Sequence, residues 1–260
     1  MPVITITSDW NNNDYYLAAV KGQLLKLNEN FSIVDISHNI KPFNLNQAAF
    51  VIRNSFEHFP ENSIHLIFVD SEPSGDRKYM AIKALNQYFI GTDNGIFSLI
   101  LNEKKGEIIE LDSLEPENSN SFPGLYTFTN AAFRLSNGES LQSLGKQLSA
   151  YSERIPLRAT IEENSISGGV IYIDSYGNAI TNITKEIFNR VGNNREFEIY
   201  VQSKHYTISQ IQKSYNEVQG GELLAVFNST GLLEIAINSG NASKLLNLNQ
   251  NSTIRVEFLN

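Results

Sequence analysis

Over the first 150 or so residues, short apolar runs alternate with helix-like segments, and this alternation constrains the fold more than any other sequence feature. Val3–Thr7, Phe31–Ile36 and Ile64–Val69 have the composition of strands. Tyr15–Leu27 and Asn46–Phe59 instead repeat apolar residues at three- and four-residue spacing, which indicates helices. The alternation predicts an N-terminal α/β domain with a central, mostly parallel sheet.

Beyond Gly168 strand-like runs dominate, and glycine-containing turns such as Gly177–Asn178 separate them. This pattern predicts a small all-β domain. We therefore expect an α/β domain over residues 1–155, a polar linker over residues 156–164 and a β domain over residues 165–260. The predicted strands of the second domain are Gly169–Ile173, Glu196–Gln202, Leu223–Phe227, Leu232–Ile237 and Thr253–Phe258.

Charge and composition exclude several classes of function. The chain has 20 Lys and Arg against 28 Asp and Glu, and this negative balance opposes binding to a phosphate backbone. It has no cysteine, which excludes disulfides, thiolate nucleophiles and Cys-ligated metals. Its apolar runs are far shorter than the roughly 18 residues that cross a membrane, and the N-terminal residues lack a signal-peptide pattern. We expect a cytoplasmic protein with no nucleic-acid or membrane partner.

The histidines and known catalytic motifs offer no metal or cofactor site. The four histidines form neither an HxxxH nor an HxH pattern, so we expect no metal. His38 alone follows a predicted strand end, where a ligand is expected. Neither a G-x-S-x-G nucleophile motif nor a phosphate-binding P-loop motif is present. We therefore expect no cofactor.

Four carboxylates follow, or nearly follow, apolar strands: Asp9, Asp70, Asp93 and Asp174. Such residues often cap the next turn or helix. If they converge on one site, a metal-free rim of carboxylates suits a ligand that is cationic or rich in hydroxyls, because one carboxylate accepts two hydrogen bonds from a ribose diol. Thr92–Gly95 is by itself only a tight turn. The residues alone leave both interpretations open.

Several longer segments resemble one known family. They are SDWNNNDYYLAAVKG from Ser8 to Gly22, DISH from Asp35 to His38, FPENSIHLIFVDSEPSGDR from Phe59 to Arg77, TDNG from Thr92 to Gly95, DSYGNAITNI from Asp174 to Ile183, and NSTGLLEIAINSGNA from Asn228 to Ala242. Together they resemble the S-adenosylmethionine hydroxide adenosyltransferase family, whose relatives include fluorinase and chlorinase. The chain is similar to this family over nearly its whole length, as a divergent member.

The resemblance implies a fold, an assembly and ligand-binding residues. It implies an N-terminal α/β domain, a β-barrel-like C-terminal domain, and a homotrimer that holds S-adenosylmethionine between neighbouring subunits. It implies that Asp9 binds the ribose hydroxyls. In the second half, it implies that residues of the two matching motifs contact the adenosyl and methionine groups: Asp174, Tyr176, Asn178, Asn228, Ser229 and Glu234. For Glu234 an exposed charge at a strand edge is the alternative.

The resemblance also implies a catalytic set, which is incomplete here. In the hydrolytic members that the chain resembles, this set consists of an Asp, an Arg seven residues later, and a His in a T-F-H-G-R-D segment. Asp70 and Arg77 match the first two. The third segment is SFPGLY, so Pro123 stands where the family has His. The turn after the third strand also departs, because it carries Glu72.

These departures set the expected chemistry. Proline has neither an ionisable group nor a backbone N–H, so Pro123 cannot take a proton from water. Glu72 opposes an anionic nucleophile through its charge, or else replaces the missing base. We expect slow hydrolysis of S-adenosylmethionine to adenosine and methionine, with Asp70, Arg77 and Glu72 as the catalytic candidates. The alternatives are an inactive paralogue that binds S-adenosylmethionine or adenosine and, less favoured, a halogenase.

Overall fold

A computed structural model describes residues 2–102, 104, 106–116, 121–250 and 252–259. The chain forms two compact units, Met1–Ile155 and Pro156–Asn260. The predicted fold class is confirmed: an α/β unit with mostly parallel strands precedes a nearly closed, barrel-like β unit. Among the described residues, no helix is long and apolar enough to span a membrane.

In the described part of the first unit, seven strands and four α-helices form one α/β layer arrangement. In chain order they are β1 Val3–Ser8, α1 Tyr15–Leu27, β2 Ser32–Ser37, α2 Leu45–Arg53, β3 Ile64–Phe68, β4 Tyr79–Ala84, β5 Gln87–Thr92, α3 Ile96–Leu101, β6 Glu107–Leu111, α4 Leu125–Ser136 and β7 Gly145–Leu148. The sheet order is β2-β1-β3-β5-β4-β6-β7. Strands β2, β1, β3 and β5 pair in parallel, and β4, β6 and β7 extend the sheet in antiparallel fashion.

Both faces of this sheet are covered by helices, as β3 illustrates. Leu66 and Phe68 point into a core with α1 and α4, whereas Ile67 and Val69 point into a second core with α2 and α3. Each of these four residues is at most 1% exposed. Full burial of one such side chain contributes roughly 1.5–3 kcal/mol, so β3 anchors both layers.

The predicted extent of the second helix, Asn46–Phe59, is wrong. Helix α2 ends at Arg53, and a short 3-10 turn follows at Phe56–His58. The Asn54 side-chain amide donates to the backbone oxygen of Phe50, and the Ser55 hydroxyl donates to that of Val51. The Asn54 N–H still donates to the Phe50 oxygen, but the Ser55 N–H donates to the Ile52 oxygen at 3.0 Å while its hydroxyl takes the Val51 oxygen, so the helical hydrogen-bond pattern breaks at Ser55.

The second unit, over its described residues, has nine strands and two short α-helices. They are β8 Thr160–Ile161, β9 Ser165–Ile173, β10 Ala179–Thr184, α5 Lys185–Gly192, β11 Phe197–Val201, β12 Ser203–Ile208, β13 Ile211–Gln212, β14 Leu223–Phe227, β15 Leu232–Ile237, α6 Ala242–Leu245 and β16 Thr253–Phe258. The sheet order is β12-β11-β16-β9-β10-β15-β14-β13, with β8 paired to β9. Three predicted strands, β14, β15 and β16, have the predicted bounds.

Helix α5 is a difference from the all-β expectation, and local signals explain it. The Thr184 hydroxyl caps its N-terminus by accepting from the Ile187 N–H at 3.1 Å. Asn193 ends it in the left-handed conformation. Phe188, on this helix, packs edge-on against Phe258 with 5.3 Å between ring centroids, so the helix contributes to the core of the unit.

Candidate active site

A cavity of about 560 Å³ lies at the carboxyl ends of the parallel strands β1, β2 and β3. This edge is where ligands bind in open α/β sheets, and the volume suits a small organic ligand. The strand ends contribute Asp9, Trp10, Asn11, His38, Asn39, Asp70, Ser71 and Glu72, and other segments contribute Asp14, Tyr16, Ile40, Pro42, Phe43, Ser121, Phe122 and Pro123. The cavity therefore has an acidic rim beside aromatic walls.

Asp9 joins two segments that border the cavity. Its Oδ2 atom accepts hydrogen bonds from the Phe43 N–H at 2.9 Å and the Asp70 N–H at 3.1 Å. Its own N–H donates to the Phe68 oxygen at 3.2 Å, which extends the pairing of β1 with β3. Both side-chain bonds engage Oδ2, so Oδ1 is unpartnered among the described residues and is available to donors of a ligand.

Asp70 follows Val69, just beyond the end of β3, and adopts the left-handed conformation, with φ +47°. For a residue other than glycine this conformation costs roughly 1–2 kcal/mol, so the surroundings must hold it. Arg77 Nη2 donates to Asp70 Oδ2 at 2.6 Å and to the Asp70 backbone oxygen at 2.8 Å. Asn94 Nδ2 donates to the same backbone oxygen at 3.0 Å. Hydrogen bonds to both the backbone oxygen and the side chain of Asp70 thus fix its carboxylate at the cavity.

Arg77 approaches Asp70 from outside the first cavity. Its side chain lines a neighbouring cavity of about 630 Å³ together with Lys78, Lys146 and Glu110. The Arg77 and Asp70 side chains are 32% and 22% exposed, so this ion pair is partly shielded from water. Arg77 therefore acts on the first cavity through Asp70.

Glu72 and Pro123 line the same cavity as Asp70. Glu72 is exposed to solvent, and Pro123 lies in the turn before α4. The first backbone N–H groups of α4 do not face an empty site, because Glu115 Oε1 accepts from the N–H groups of Tyr126 at 3.1 Å and Thr127 at 2.9 Å. The segment that carries Pro123 therefore offers the cavity neither an acid–base side chain from that position nor these two helix amides.

Aromatic side chains form one wall that the sequence reasoning missed. Trp10 lies 5.4 Å from Tyr16 and 5.2 Å from Phe122 between ring centroids, and the rings of Tyr16 and Phe122 are 5.0 Å apart. All three line the cavity. Faces of aromatic rings attract cations. The position of Trp10 in the sequence could have indicated this wall, because Trp10 is the only tryptophan and directly follows Asp9.

His38 lines the cavity from the end of β2, and its side chain is 4% exposed. Its Nδ1 atom is 2.8 Å from the Ser8 hydroxyl. Its Nε2 atom is 3.3 Å from Asp35 Oδ1 but lacks hydrogen-bond alignment, and Lys21 binds Asp35 Oδ2 at 2.6 Å. Burial lowers the pKa of His38, against the opposing effect of Asp35. His38 is therefore a neutral group that ties β1 to β2 behind the cavity.

Of the two interpretations that the sequence left open for the four strand-end carboxylates, the structural one holds for Asp93. Its two carboxylate oxygens accept from the Ser152 N–H at 2.8 Å and the Ser152 hydroxyl at 3.0 Å. Asp93 is 6% exposed and fastens the last residues of the first unit to the turn after β5. Its role is the ordinary structural one, whereas Asp9 and Asp70 meet at the cavity.

In the second unit, Asp174 organises the turn between β9 and β10. Its Oδ1 atom accepts from the N–H groups of Tyr176 at 3.0 Å and Asn178 at 2.8 Å, and its Oδ2 accepts from the Asn178 amide at 3.0 Å. Asn178 is buried, whereas Tyr176 is 76% exposed. The turn therefore presents one large aromatic ring to solvent on a rigid base.

Glu234 is not an exposed charge at a strand edge, so that alternative is wrong. It is 3% exposed on β15, which lies between β10 and β14. Its Oε1 accepts from the Tyr215 hydroxyl at 2.6 Å, and its Oε2 accepts from the Asn228 amide at 3.0 Å. Burial, followed by the hydrogen bond to Glu234, raises the pKa of Tyr215. Ser229 is exposed at the turn before β15, and Tyr215 was missed by the sequence reasoning.

No group of three or more potential metal ligands occurs within the described part of the chain. Carboxylates and aromatic rings line the first cavity, and Arg77 pairs with one of these carboxylates, that of Asp70. Such a set binds hydroxyls and positive charge and can bring water next to a carboxylate.

Comparisons with known proteins match both units. The model of the SAM hydroxide adenosyltransferase N-terminal domain matches residues 4–145, and that of the C-terminal domain matches residues 168–255. A protein of Methanocaldococcus jannaschii named (R)-S-adenosyl-L-methionine hydrolase is 32% identical, over 99% of this chain and 97% of its own length. A protein of the same name from Thermus thermophilus is 28% identical, over 98% of this chain and 100% of its own.

The chain is also similar to a protein with a different name and to a solved structure. A protein of Actinopolyspora mzabensis named fluorinase is 22% identical, over 98% of this chain and 97% of its own. A crystal structure described as an uncharacterized conserved protein from Thermotoga maritima has a TM-score of 0.86 at 27% identity, over 98% of this chain and 99% of that chain.

Proposed function

Because this chain belongs to the SAM hydroxide adenosyltransferase family, we propose that it binds S-adenosylmethionine and hydrolyses it to adenosine and methionine. The observation that carries the proposal is the Asp70 carboxylate, which lines the cavity while Arg77 holds it at 2.6 Å. Full-length similarity to relatives named as S-adenosylmethionine hydrolases supports the same substrate and reaction.

Substrate binding follows from the groups around the cavity. Asp9 Oδ1 accepts hydrogen bonds from the two ribose hydroxyls while Oδ2 keeps its bonds to the Phe43 and Asp70 backbone. The net charge of −8 and the acidic rim favour the positively charged sulfonium. In the second unit, the exposed Tyr176 and Ser229 contact the ligand, and Asp174 and Asn178 hold the turn that carries Tyr176. Asn228 supports the other turn through Glu234.

The reaction is an in-line displacement at ribose C5′. The water oxygen forms a bond to C5′ as the bond from C5′ to sulfur breaks, and the electron pair of the broken bond stays on sulfur. Methionine leaves as a neutral thioether, so no general acid is required. Asp70, held by Arg77, orients the attacking water. The water proton passes to solvent or to Glu72, which is exposed at the same cavity.

We propose that turnover is slow, because Pro123 lines the cavity at the position where the resemblance places a histidine. General base catalysis contributes about 100- to 10,000-fold, so its loss raises the barrier by about 3–5 kcal/mol. The same observation favours the second candidate function, a paralogue that binds S-adenosylmethionine or adenosine without turnover. A halogenase is disfavoured, since the Glu72 carboxylate opposes a halide ion at this cavity.

We further propose a cytoplasmic homotrimer that needs no cofactor. The assembly is supported by the division of the candidate ligand residues between the two units, as in a family whose site straddles subunits. Sedimentation equilibrium at micromolar protein measures the mass directly. A monomer at all concentrations contradicts the trimer.

The reaction is tested by incubating purified protein with S-adenosylmethionine in ¹⁸O-labelled water. Chromatography with mass detection is expected to find adenosine that carries one ¹⁸O at the 5′ oxygen, together with unlabelled methionine. A calorimetric binding signal without adenosine selects the binding paralogue. If the protein neither binds S-adenosylmethionine nor forms adenosine, the proposal is overturned. Added chloride or fluoride that yields a 5′-halogenated adenosine identifies a halogenase instead.

A further inference from the structure

The turn Thr92–Gly95 begins at the last residue of β5. Its side chains donate hydrogen bonds to the backbone oxygens of three successive residues, of which Asp70 is the middle one. Asn94 Nδ2 donates to the oxygens of Val69 at 2.9 Å and Asp70 at 3.0 Å. The Thr92 hydroxyl donates to the oxygen of Ser71 at 2.7 Å. The backbone is therefore fixed before, at and after Asp70 by two side chains of a single turn.

These two side chains are buried. Thr92 is 1% exposed and Asn94 is 6% exposed. The Asn94 amide also has a fixed orientation, because its Oδ1 atom accepts from the Ile96 N–H at 3.1 Å and only Nδ2 is left to donate. A neighbour in the same turn, Asp93, binds Ser152 instead and does not contribute to this set.

The conformation of Asp70 explains why such a clamp is needed. Its φ of +47° is unfavourable for a residue with a side chain. Without donors on the adjacent carbonyls, we expect the backbone to relax towards the extended or right-handed region and to turn the carboxylate away from Arg77 and from the cavity. The buried hydrogen bonds from Thr92 and Asn94 therefore offset the conformational free energy that the positive φ of Asp70 costs.

We propose that Asn94 and Thr92 are positioning residues that aim the Asp70 carboxylate at the attacking water. This inference rests on the proposed function, in which Asp70 orients that water. It assigns a role to the TDNG segment, which by its sequence is only a tight turn.

The variants are chosen to remove donors without changing shape. Asn94→Asp keeps the acceptor for Ile96 but replaces the donor with a carboxylate, and Thr92→Val removes the hydroxyl. Thr92→Ser keeps the hydroxyl and serves as the rescuing variant. The matched control is Gln87→Glu at the opposite end of β5, where the Gln87 amide also donates to two backbone oxygens, those of Phe56 and Phe59.

Turnover, KM, the pH profile of kcat and urea stability are measured for each variant. A displacement of about 1 Å can cost about 100-fold in rate, so Asn94→Asp and Thr92→Val are expected to lower kcat by about 10- to 100-fold with KM within about threefold. Thr92→Ser and Gln87→Glu are expected to stay within about threefold of the unmodified protein. The inference is overturned if Asn94→Asp loses no more activity than Gln87→Glu at matched stability.

A second readout does not depend on turnover. Crystal structures of Asn94→Asp and Gln87→Glu are compared with that of the unmodified protein. In Asn94→Asp, Asp70 is expected to leave the left-handed region and its carboxylate to move beyond 4 Å from Arg77. An unmoved Asp70 overturns the positioning role. Absence of turnover in the unmodified protein overturns the proposed function alone, because this structural comparison still decides the positioning role.

Discussion

Arg77 binds both the carboxylate and the backbone oxygen of Asp70, at 2.6 and 2.8 Å. One guanidinium nitrogen thus links the side chain of Asp70 to its own main chain and holds the χ angles as well as the left-handed backbone. The pair lies seven residues apart across the loop from β3 to β4, and only Asp70 faces the acidic cavity. Arg77 is therefore a support for the carboxylate.

Replacing Arg77 tests this support. Lysine keeps the charge but lacks the planar fork, so Arg77→Lys is expected to lower kcat about tenfold and Arg77→Ala about 100-fold. Steady-state kinetics of adenosine release measures both. The matched control is Arg134→Lys, since Arg134 also binds a carboxylate, that of Glu139, and a backbone oxygen, that of Ser143. Equal losses in the Arg77 and Arg134 variants contradict a specific role.

Glu72→Gln distinguishes the two fates of the water proton. With no general base, removing this charge is expected to leave kcat unchanged or to raise it, and the rate stays flat from about pH 6 to about pH 9. A pH series of adenosine formation measures the effect. A loss of more than tenfold, with a rate in the unmodified protein that falls at acid pH, identifies Glu72 as the base. A turnover of about 10 per second contradicts the expected slow reaction.

Asp9→Ala is expected to weaken binding of adenosine by about 1.5–3 kcal/mol, the range for hydrogen bonds to a charged group. The loss arises from the ribose hydroxyls and from the anchors that Oδ2 provides to the Phe43 and Asp70 backbone. Titration calorimetry measures the affinity. Asp76→Ala, an exposed carboxylate in the loop after β3, serves as the control and is expected to bind normally. Unchanged affinity in Asp9→Ala argues against the ribose contact.

Stability is expected to fall at acid pH because of His65. This side chain is 1% exposed, between the Thr5 hydroxyl at 2.7 Å and Gln87 Oε1 at 2.5 Å. Burial lowers the pKa of His65 to about 4, against the raising effect of the Gln87 hydrogen bond. The unfolded chain, with a pKa near 6.5, then binds more protons than the folded chain between about pH 6.5 and about pH 4. The stabilising effect is complete above about pH 6.5 and is lost as pH falls towards 4.

This linkage contributes about 2.5 kcal/mol to the loss of stability between pH 7.5 and pH 4.5, at 1.36 kcal/mol for each pKa unit. Urea unfolding at the two pH values measures it. In His65→Leu the pH dependence is expected to shrink by about that amount, although the variant is less stable overall because Thr5 and Gln87 lose a partner. Exposed His58→Leu is the control. An unchanged pH dependence in His65→Leu disproves the assignment.

The sequence alone determined those features that depend on local pattern. Helix Tyr15–Leu27 and strands such as Leu223–Phe227 and Leu232–Ile237 follow from periodic burial, which is visible in a short window. The placing of Asp9 and Asp70 at one sheet edge follows from parallel strand ends. Even so, the end of α2 was missed, because Ser55 ends the helix through a side-chain bond to the Val51 oxygen that no hydrophobic period encodes.

Only the tertiary structure decided which partner each polar group takes. Asp93, like Asp70, comes after an apolar strand, yet it binds Ser152, 59 residues away. Glu234 is buried between neighbouring strands because Tyr215 and Asn228 satisfy both of its oxygens. Asn94 reaches Val69 and Asp70 only because β5 lies beside β3 in register. A hydrogen bond needs its atoms within about 3 Å, and strand register, which brings distant residues together, is set by the whole packed sheet.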